Sequence, residues 1–194
     1  MEPKDSLKTY QEKRRFGTTP EPAGGERQAS EAPLFVVQKH AARHLHYDFR
    51  LEVGGVLKSW AVPKGPSLNP KDKRLSVPTE DHPLEYADFE GVIPEGEYGA
   101  GTVMVWDIGA YRNITEKKGV PVSMAEAVPH GHVKGWLEGK KLRGGFALTR
   151  FQKSPDEAWL LVKAADAAAA PDRDIRPEEA DAALPGRSLE EIAR

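Results

Sequence analysis

From Leu45 to Val53 the chain alternates without a break. Leu45, Tyr47, Phe49, Leu51 and Val53 are apolar, and His46, Asp48, Arg50 and Glu52 are polar. A period of two puts one set on each side of an extended strand, so the segment reads as a half-buried β-strand with its polar residues turned away from the core. Gly54-Gly55 follows as a two-residue turn, and Val56 to Val62 returns as a second strand. If Val53 opposes Val56, Phe49 faces Trp60, Tyr47 faces Val62, Asp48 faces Ala61 and Arg50 faces Ser59. The small partners Ala61 and Ser59 leave open space over the polar face. A chain built on this hairpin must make a sheet.

Further strands are expected at Leu34 to Gln38, Gly101 to Asp107, Val133 to Leu137, Phe146 to Phe151 and Trp159 to Lys163. Glycines at 96, 99, 101, 139, 144 and 145 mark the connectors, and Pro is frequent from Pro63 to Pro94. Many short strands with Gly and Pro turns imply an all-β barrel or sandwich with one short internal helix near Ser123 to Val128. Residues 1–32 are polar and read as a short helix or turn and then a flexible arm, and 33–165 as the folded domain. Residues 166–194 read as an Ala-, Pro- and acid-rich linker or tail. Ser188-Leu189-Glu190-Glu191 has the spacing of a capping box and can start a small terminal helix.

Composition excludes several classes. There is no cysteine, so any metal must use His, carboxylate or water, and a reducing, cytoplasmic setting fits. No apolar run approaches the roughly 20 residues of a membrane helix. Net charge is −2. Setting aside the four bases and seven acids from Asp172 onward leaves 24 bases against 23 acids. This is not a non-specific duplex coater, but an enzyme gripping one phosphate needs no such excess.

His46 and Asp48 share the polar strand face, and His40 lies six residues upstream of His46. Two imidazoles and a carboxylate without sulfur suit Mn²⁺, Zn²⁺ or Fe²⁺, with positions left open for water or substrate. His44 competes with His40 as the third ligand. Arg50, on the same face, can clamp a phosphate oxygen, whereas Lys64 and Arg74 read on their own as solvated charges. The Glu80 to Tyr86 segment, EDHPLEY, reads as a loop or strand entry with His82 and Tyr86 as acid/base or anion-binding groups.

Three blocks, QKHAARHLHYDFRLEVGGVLKSWAVPKGPS, EDHPLEYADFEGVIPEGEYGAGTVMVWDIGAY and LRGGFALTR…WLLVK, resemble the 3′-phosphoesterase domain of bacterial DNA ligase D, which heals ends in non-homologous end joining. The resemblance runs from about Phe16 to Lys163. It implies a compact β-barrel with short peripheral helices and flexible arms, and an Mn²⁺-dependent hydrolase that trims a 3′-terminal ribonucleotide to a 3′-phosphate and then to a 3′-OH. It implies His40, His46 and Asp48 as metal ligands, with Arg50, His82 and Tyr86 around the scissile phosphate. Gln38, Lys64 and Arg74 become supporting polar positions, and Arg14 and Glu21 serve the diesterase step. Where the family usually has an acid after the arm's Arg, this chain has Arg15, a departure that touches the diesterase step and not the metal site. The partners implied are DNA 3′ ends and ligase or polymerase domains of the same bacterial repair system, with no membrane. The alternatives are a non-catalytic end-binding module and a small-molecule phosphatase.

Overall fold

The computed structural model describes residues 6–25, 27–28, 32–178, 180–183 and 186–194. The alternating segment forms a strand and turns back through Gly54-Gly55, whose φ values of 60° and 85° suit a tight hairpin that only glycine adopts without strain. In chain order the strands are β1 (Leu34–Ala41), β2 (Leu45–Val53), β3 (Val56–Val62), β4 (Arg74–Pro83), β5 (Gly91–Ile93) and β6 (Gly101–Asn113). Then come β7 (Glu116–Lys117), β8 (Val120–Pro121), β9 (His132–Glu138), β10 (Arg143–Gln152) and β11 (Ala158–Lys163). The register of β2 on β3 is the one expected: Val53 faces Val56, Phe49 faces Trp60, Asp48 faces Ala61 and Arg50 faces Ser59.

Eight antiparallel strands close a barrel in the order β1-β2-β3-β4-β11-β10-β9-β6, with β6 returning to β1 and β5 added outside on β6. The short helices are α1 (Lys8–Glu12), α2 (Met124–His130), α3 (Ile175–Glu178) and α4 (Leu189–Ile192), with a 3-10 turn at Leu84–Asp88. Ser123 caps α2 by accepting from the Glu126 N–H, and a full capping box at Ser188 starts α4. None of the described helices is long and apolar enough to cross a membrane.

Strand β4 was not expected, because its segment carries Pro78 and Pro83. It tolerates them because β11 pairs with it only at Arg74 to Ser76, so beyond that point one edge needs no N–H donors.

The barrel interior holds Phe49, Trp60, Trp106, Leu148 and Trp159 among others, each at most 4% exposed. A second apolar cluster lies on the outer wall. Val36, Leu57, Val103 and Val105 face outward and are covered by Tyr10 of α1, by Leu84 and Tyr86 of the 3-10 turn, and by Ile93. This cover corrects the half-buried reading of β2. Asp48, Arg50 and Glu52 are 6%, 3% and 5% exposed, so the strand is buried on both faces. The described part of the arm likewise does not run free, since Tyr10 is fully buried. Nor does the tail behave as a linker: Ile175 and Ala182 are buried, Leu189 and Ile192 pack on the core, and the Ala183 N–H reaches the Val105 carbonyl at 2.9 Å. The sparse apolar residues in these polar segments are enough to dock them.

The turn from β9 to β10 depends on one carboxylate. Asp107, fully buried, accepts from the backbone N–H groups of Ile108, Lys140, Lys141 and Leu142 at 2.8–3.2 Å. The approach requires glycine at 139, where a Cβ would sit 2.3 Å from Asp107 Oδ2. Asp107→Ala leaves these donors without an acceptor and is expected to cost about 3 kcal/mol in urea unfolding, with Asp107→Asn in between. An Asp107→Ala protein as stable as the wild type would refute this role.

Candidate active site

The outward face of β1 and β2 brings His40, His46 and Asp48 together. One potential ligand atom from each lies within 4.8 Å of the others. The backbone sets both imidazole tautomers. His40 Nε2 is 2.6 Å from the Gly99 carbonyl, and His46 Nδ1 is 3.1 Å from the His44 carbonyl. A carbonyl only accepts, so those nitrogens are donors there, and His40 Nδ1 and His46 Nε2 are left facing Asp48 Oδ2, at 3.7 and 3.3 Å, where each can share a proton with the carboxylate or, with that proton displaced, serve as a metal ligand. Imidazoles fixed by an outer carbonyl are how metal-binding histidines are held. Burial alone would raise the Asp48 pKa, but Arg50, His40 and His46 outweigh it and keep the carboxyl well below the usual range. Burial also opposes charge on His46, and hydrogen bonding to Asp48 reverses this and raises its pKa. The donor set fits a single divalent ion. His44 is exposed and contributes a carbonyl rather than a ring.

Arg50 lies beside this group, its Nη2 3.6 Å from Asp48 Oδ2. Its Nε donates to Gln38 Oε1 at 2.7 Å, and the Gln38 amide donates to the Tyr86 and Phe89 carbonyls at 2.8 and 3.0 Å. The Tyr86 ring covers the guanidinium at 4.9 Å. Arg50 Nη1 is buried and has no hydrogen-bond partner among the described residues. A desolvated, unpaired guanidinium N–H calls for an anion.

The opposite wall comes from β4, the 3-10 turn and the arm. His82 Nδ1 donates to the Glu80 carbonyl at 2.8 Å, so its Nε2 lone pair faces the cleft, 3.4 Å from Arg14 Nη2. Burial first, and then the Arg50 and Arg14 guanidiniums, hold His82 well below the ordinary imidazole pKa, so it is neutral. Tyr86 is pushed well above the usual phenol value by burial and by Glu21, and its hydroxyl donates to Glu21 Oε2 at 2.7 Å. Arg14 donates to Glu21 Oε2 at 2.9 Å and to Glu80 Oε1 at 3.1 Å, all three side chains being almost fully buried.

The resulting cleft has a volume of about 240 Å³ and is lined by Arg14, His40, His46, Asp48, Arg50, Glu80, His82 and Tyr86 among others. A cavity of about 420 Å³ beside Trp60 holds none of these, and its charges are paired as Lys58–Asp81 and Arg150–Glu157. The chemistry therefore belongs to the smaller space. Gln38 and Glu21 sit directly behind the cleft. Lys64 and Arg74 are not among its lining residues: Lys64 is exposed, and Arg74 donates to the Lys64 carbonyl and to Asp72. Sequence reading missed Glu80, which an extra residue in β4 opposite Leu57 and Ser59 aims at Arg14. It also missed the Gly99 carbonyl, for which there is no side-chain signal.

Residues 38–150 match the family model described as the DNA Ligase D 3′-phosphoesterase domain. The chain is 48% identical over 188 residues to the multifunctional non-homologous end joining protein LigD of Pseudomonas aeruginosa, an alignment covering 94% of this chain and 22% of that protein. It is 42% identical over 177 residues to the protein of the same description from Mycolicibacterium smegmatis, covering 90% of this chain and 22% of that one. The multifunctional non-homologous end joining DNA repair protein LigD of Mycobacterium tuberculosis is 47% identical over 158 residues, covering 80% of this chain and 19% of that protein. The chain thus spans about a fifth of the length of these curated relatives. With the family model covering more than half of its residues, the chain belongs to the DNA ligase D 3′-phosphoesterase domain family.

Proposed function

We propose that this phosphoesterase domain is a divalent-metal-dependent enzyme that heals DNA 3′ ends. It removes a 3′-terminal ribonucleotide from a primer-template end to leave a 3′-phosphate, and then removes that phosphate to leave a 3′-OH for ligation. The observation that carries the reading is the buried Arg50, with one guanidinium nitrogen unpartnered among the described residues, set 3.6 Å from the carboxylate of a His-His-Asp group.

His40, His46 and Asp48 are the residues that would hold the ion, taken to be Mn²⁺. When bound, it supplies Lewis-acid polarisation of a phosphoryl oxygen. The fit is also electrostatic. Arg14 and Arg50 are balanced by Asp48 and Glu80 within the cleft, so a phosphate dianion finds no excess of positive charge unless a cation joins them. Arg50 Nη1 takes a non-bridging oxygen and stabilises the charge that grows there. His82, neutral with its Nε2 lone pair toward the cleft, accepts a proton from the attacking water or from a phosphate hydroxyl. Water forms the new P–O bond as the bond to the departing oxygen breaks, and that oxygen takes up a proton, returned by the His82 imidazolium or supplied by solvent water, to leave as a hydroxyl. Tyr86 and Gln38 orient Arg50. Arg14 and Glu21 reach the cleft from the arm and serve the diesterase step, where a nucleoside must be accommodated beside the phosphate. Lys64 and Arg74, outside the cleft, hold the DNA backbone farther from the reacting end. The full repair protein would bring ligase or polymerase domains to the same DNA end in the bacterial cytoplasm, at the nucleoid. The 33–165 segment is the barrel unit that carries the chemistry.

With a duplex bearing a recessed 3′-ribonucleotide or 3′-phosphate, Mn²⁺ should support conversion to 3′-OH and EDTA should stop it; full activity in EDTA sinks the reading. His46→Ala should lower both steps at least 100-fold with an unchanged circular dichroism spectrum. Arg14→Ala should lower the diesterase rate about tenfold more than the monoesterase rate, and equal losses would remove the arm's special role. His82 is a base whose pKa is depressed, so it stays unprotonated until pH falls well below 6.5. At saturating Mn²⁺ the diesterase rate should therefore show no His82 acid limb between pH 6.5 and 8, and a limb in that window that His82→Ala abolishes would contradict the assignment.

A further inference from the structure

The connection from β5 to β6, running from Pro94 to Ala100, touches both the arm and the metal-ligating group. At one end, the Gly99 carbonyl accepts from His40 Nε2 at 2.6 Å. Gly99 has φ +76°, and a Cβ there would lie 3.5 Å from His40 Cε1, so the backbone is set against the ring. Two residues earlier, the Glu97 carboxylate accepts from the Thr18 hydroxyl at 2.7 Å and from Arg15 at 2.8 Å (Nη2) and 3.3 Å (Nε). Tyr98 accepts from Lys13 Nζ at 3.3 Å. Two tight turns, Glu97 N–H to Pro94 carbonyl and Ala100 N–H to Glu97 carbonyl, both 3.1 Å, stiffen the segment between these anchors. The Glu97 side chain is 8% exposed, although its partner Arg15 is 72% exposed.

We infer that Glu97 is a positioning residue for the metal centre: by fastening the loop to Arg15 and Thr18 of the arm, it holds the Gly99 carbonyl against His40 and so fixes that ring's tautomer and direction. The inference rests on the reading of His40 as a metal ligand. It also gives Arg15 a role. An acid at position 15 would face Glu97 with like charge, whereas Arg15 meets it with a two-nitrogen fork. The exposed ion pair contributes little by itself, and the Thr18 bond at 2.7 Å gives the same carboxylate a second, shorter anchor. Loss of a direct outer partner of a metal-binding histidine typically costs about 10–100-fold in affinity, so an anchor one step farther out should cost about fivefold.

The test is calorimetric titration of Mn²⁺ into the full chain freed of metal with a chelator. Glu97→Ala should bind about fivefold more weakly than wild type. Glu97→Gln should stay within about twofold, because its carbonyl oxygen still accepts from Thr18 and Arg15, and this separates positioning from the loss of a negative charge near the ion. Equal affinity in Glu97→Ala and wild type overturns the inference, and so does a Glu97→Gln as weak as Glu97→Ala. If Glu97→Ala does not fold, the exposed-side pair Arg15→Ala with Thr18→Val removes the same donors and should give the same weakening, and unchanged affinity there overturns it. A wild type that takes up no ion at all would refute the metal reading itself, a different result from equal affinities.

Discussion

A guanidinium that is 3% exposed must have its hydrogen bonds met or its burial costs several kcal/mol. Arg50 meets part of that demand through one glutamine and keeps Nη1 open for an anion. Gln38 accepts from Arg50 Nε on one side and, on the other, donates to two carbonyls at the 3-10 turn. The same side chain thus aims the cation and ties the covering layer to the outer wall of β1. Asp48 supplies the counter-charge and Tyr86 the aromatic roof. Cover, cation and carboxylate form one network, so a change at Gln38 or Tyr86 disturbs the packing and the cleft together.

The hairpin was legible because its signals are local. Alternation, a Gly-Gly turn and a two-residue loop fix the register of β2 on β3 without reference to the rest of the chain. His46, Asp48 and Arg50 were placed on one face by the same arithmetic. What could not be read was everything set by distant parts of the chain. The polar face of β2 looks solvated because nothing within the strand says that Tyr86 of the 3-10 turn comes to cover Arg50. Strand β4 looks like a loop because prolines argue against pairing, and only the free edge beyond Ser76 removes the objection. Glu80 acts through a bulge, and bulges leave little trace in composition. His40 was separated from His44 by resemblance alone, and its physical basis is a backbone carbonyl fifty-nine residues away.

Overall charge was a poor guide to the site for a related reason. A chain with net charge −2 still sets two guanidiniums on either side of a neutral histidine. The relevant field is that of a desolvated cleft a few ångströms across, where individual side chains outweigh the sum over the surface.

The closed barrel carries its core inside and its chemistry outside, on alternate residues of the same strands. Phe49 and Leu51 belong to the interior while Asp48 and Arg50 belong to the cleft. Two independent messages are therefore interleaved along one stretch of backbone. The inward message needs only the right total volume, which many residue combinations supply. The outward message needs particular atoms at particular distances. Related chains can drift at the odd positions of β2 while the even ones stay still, so divergence here should follow a rhythm of two rather than fall evenly along the strand.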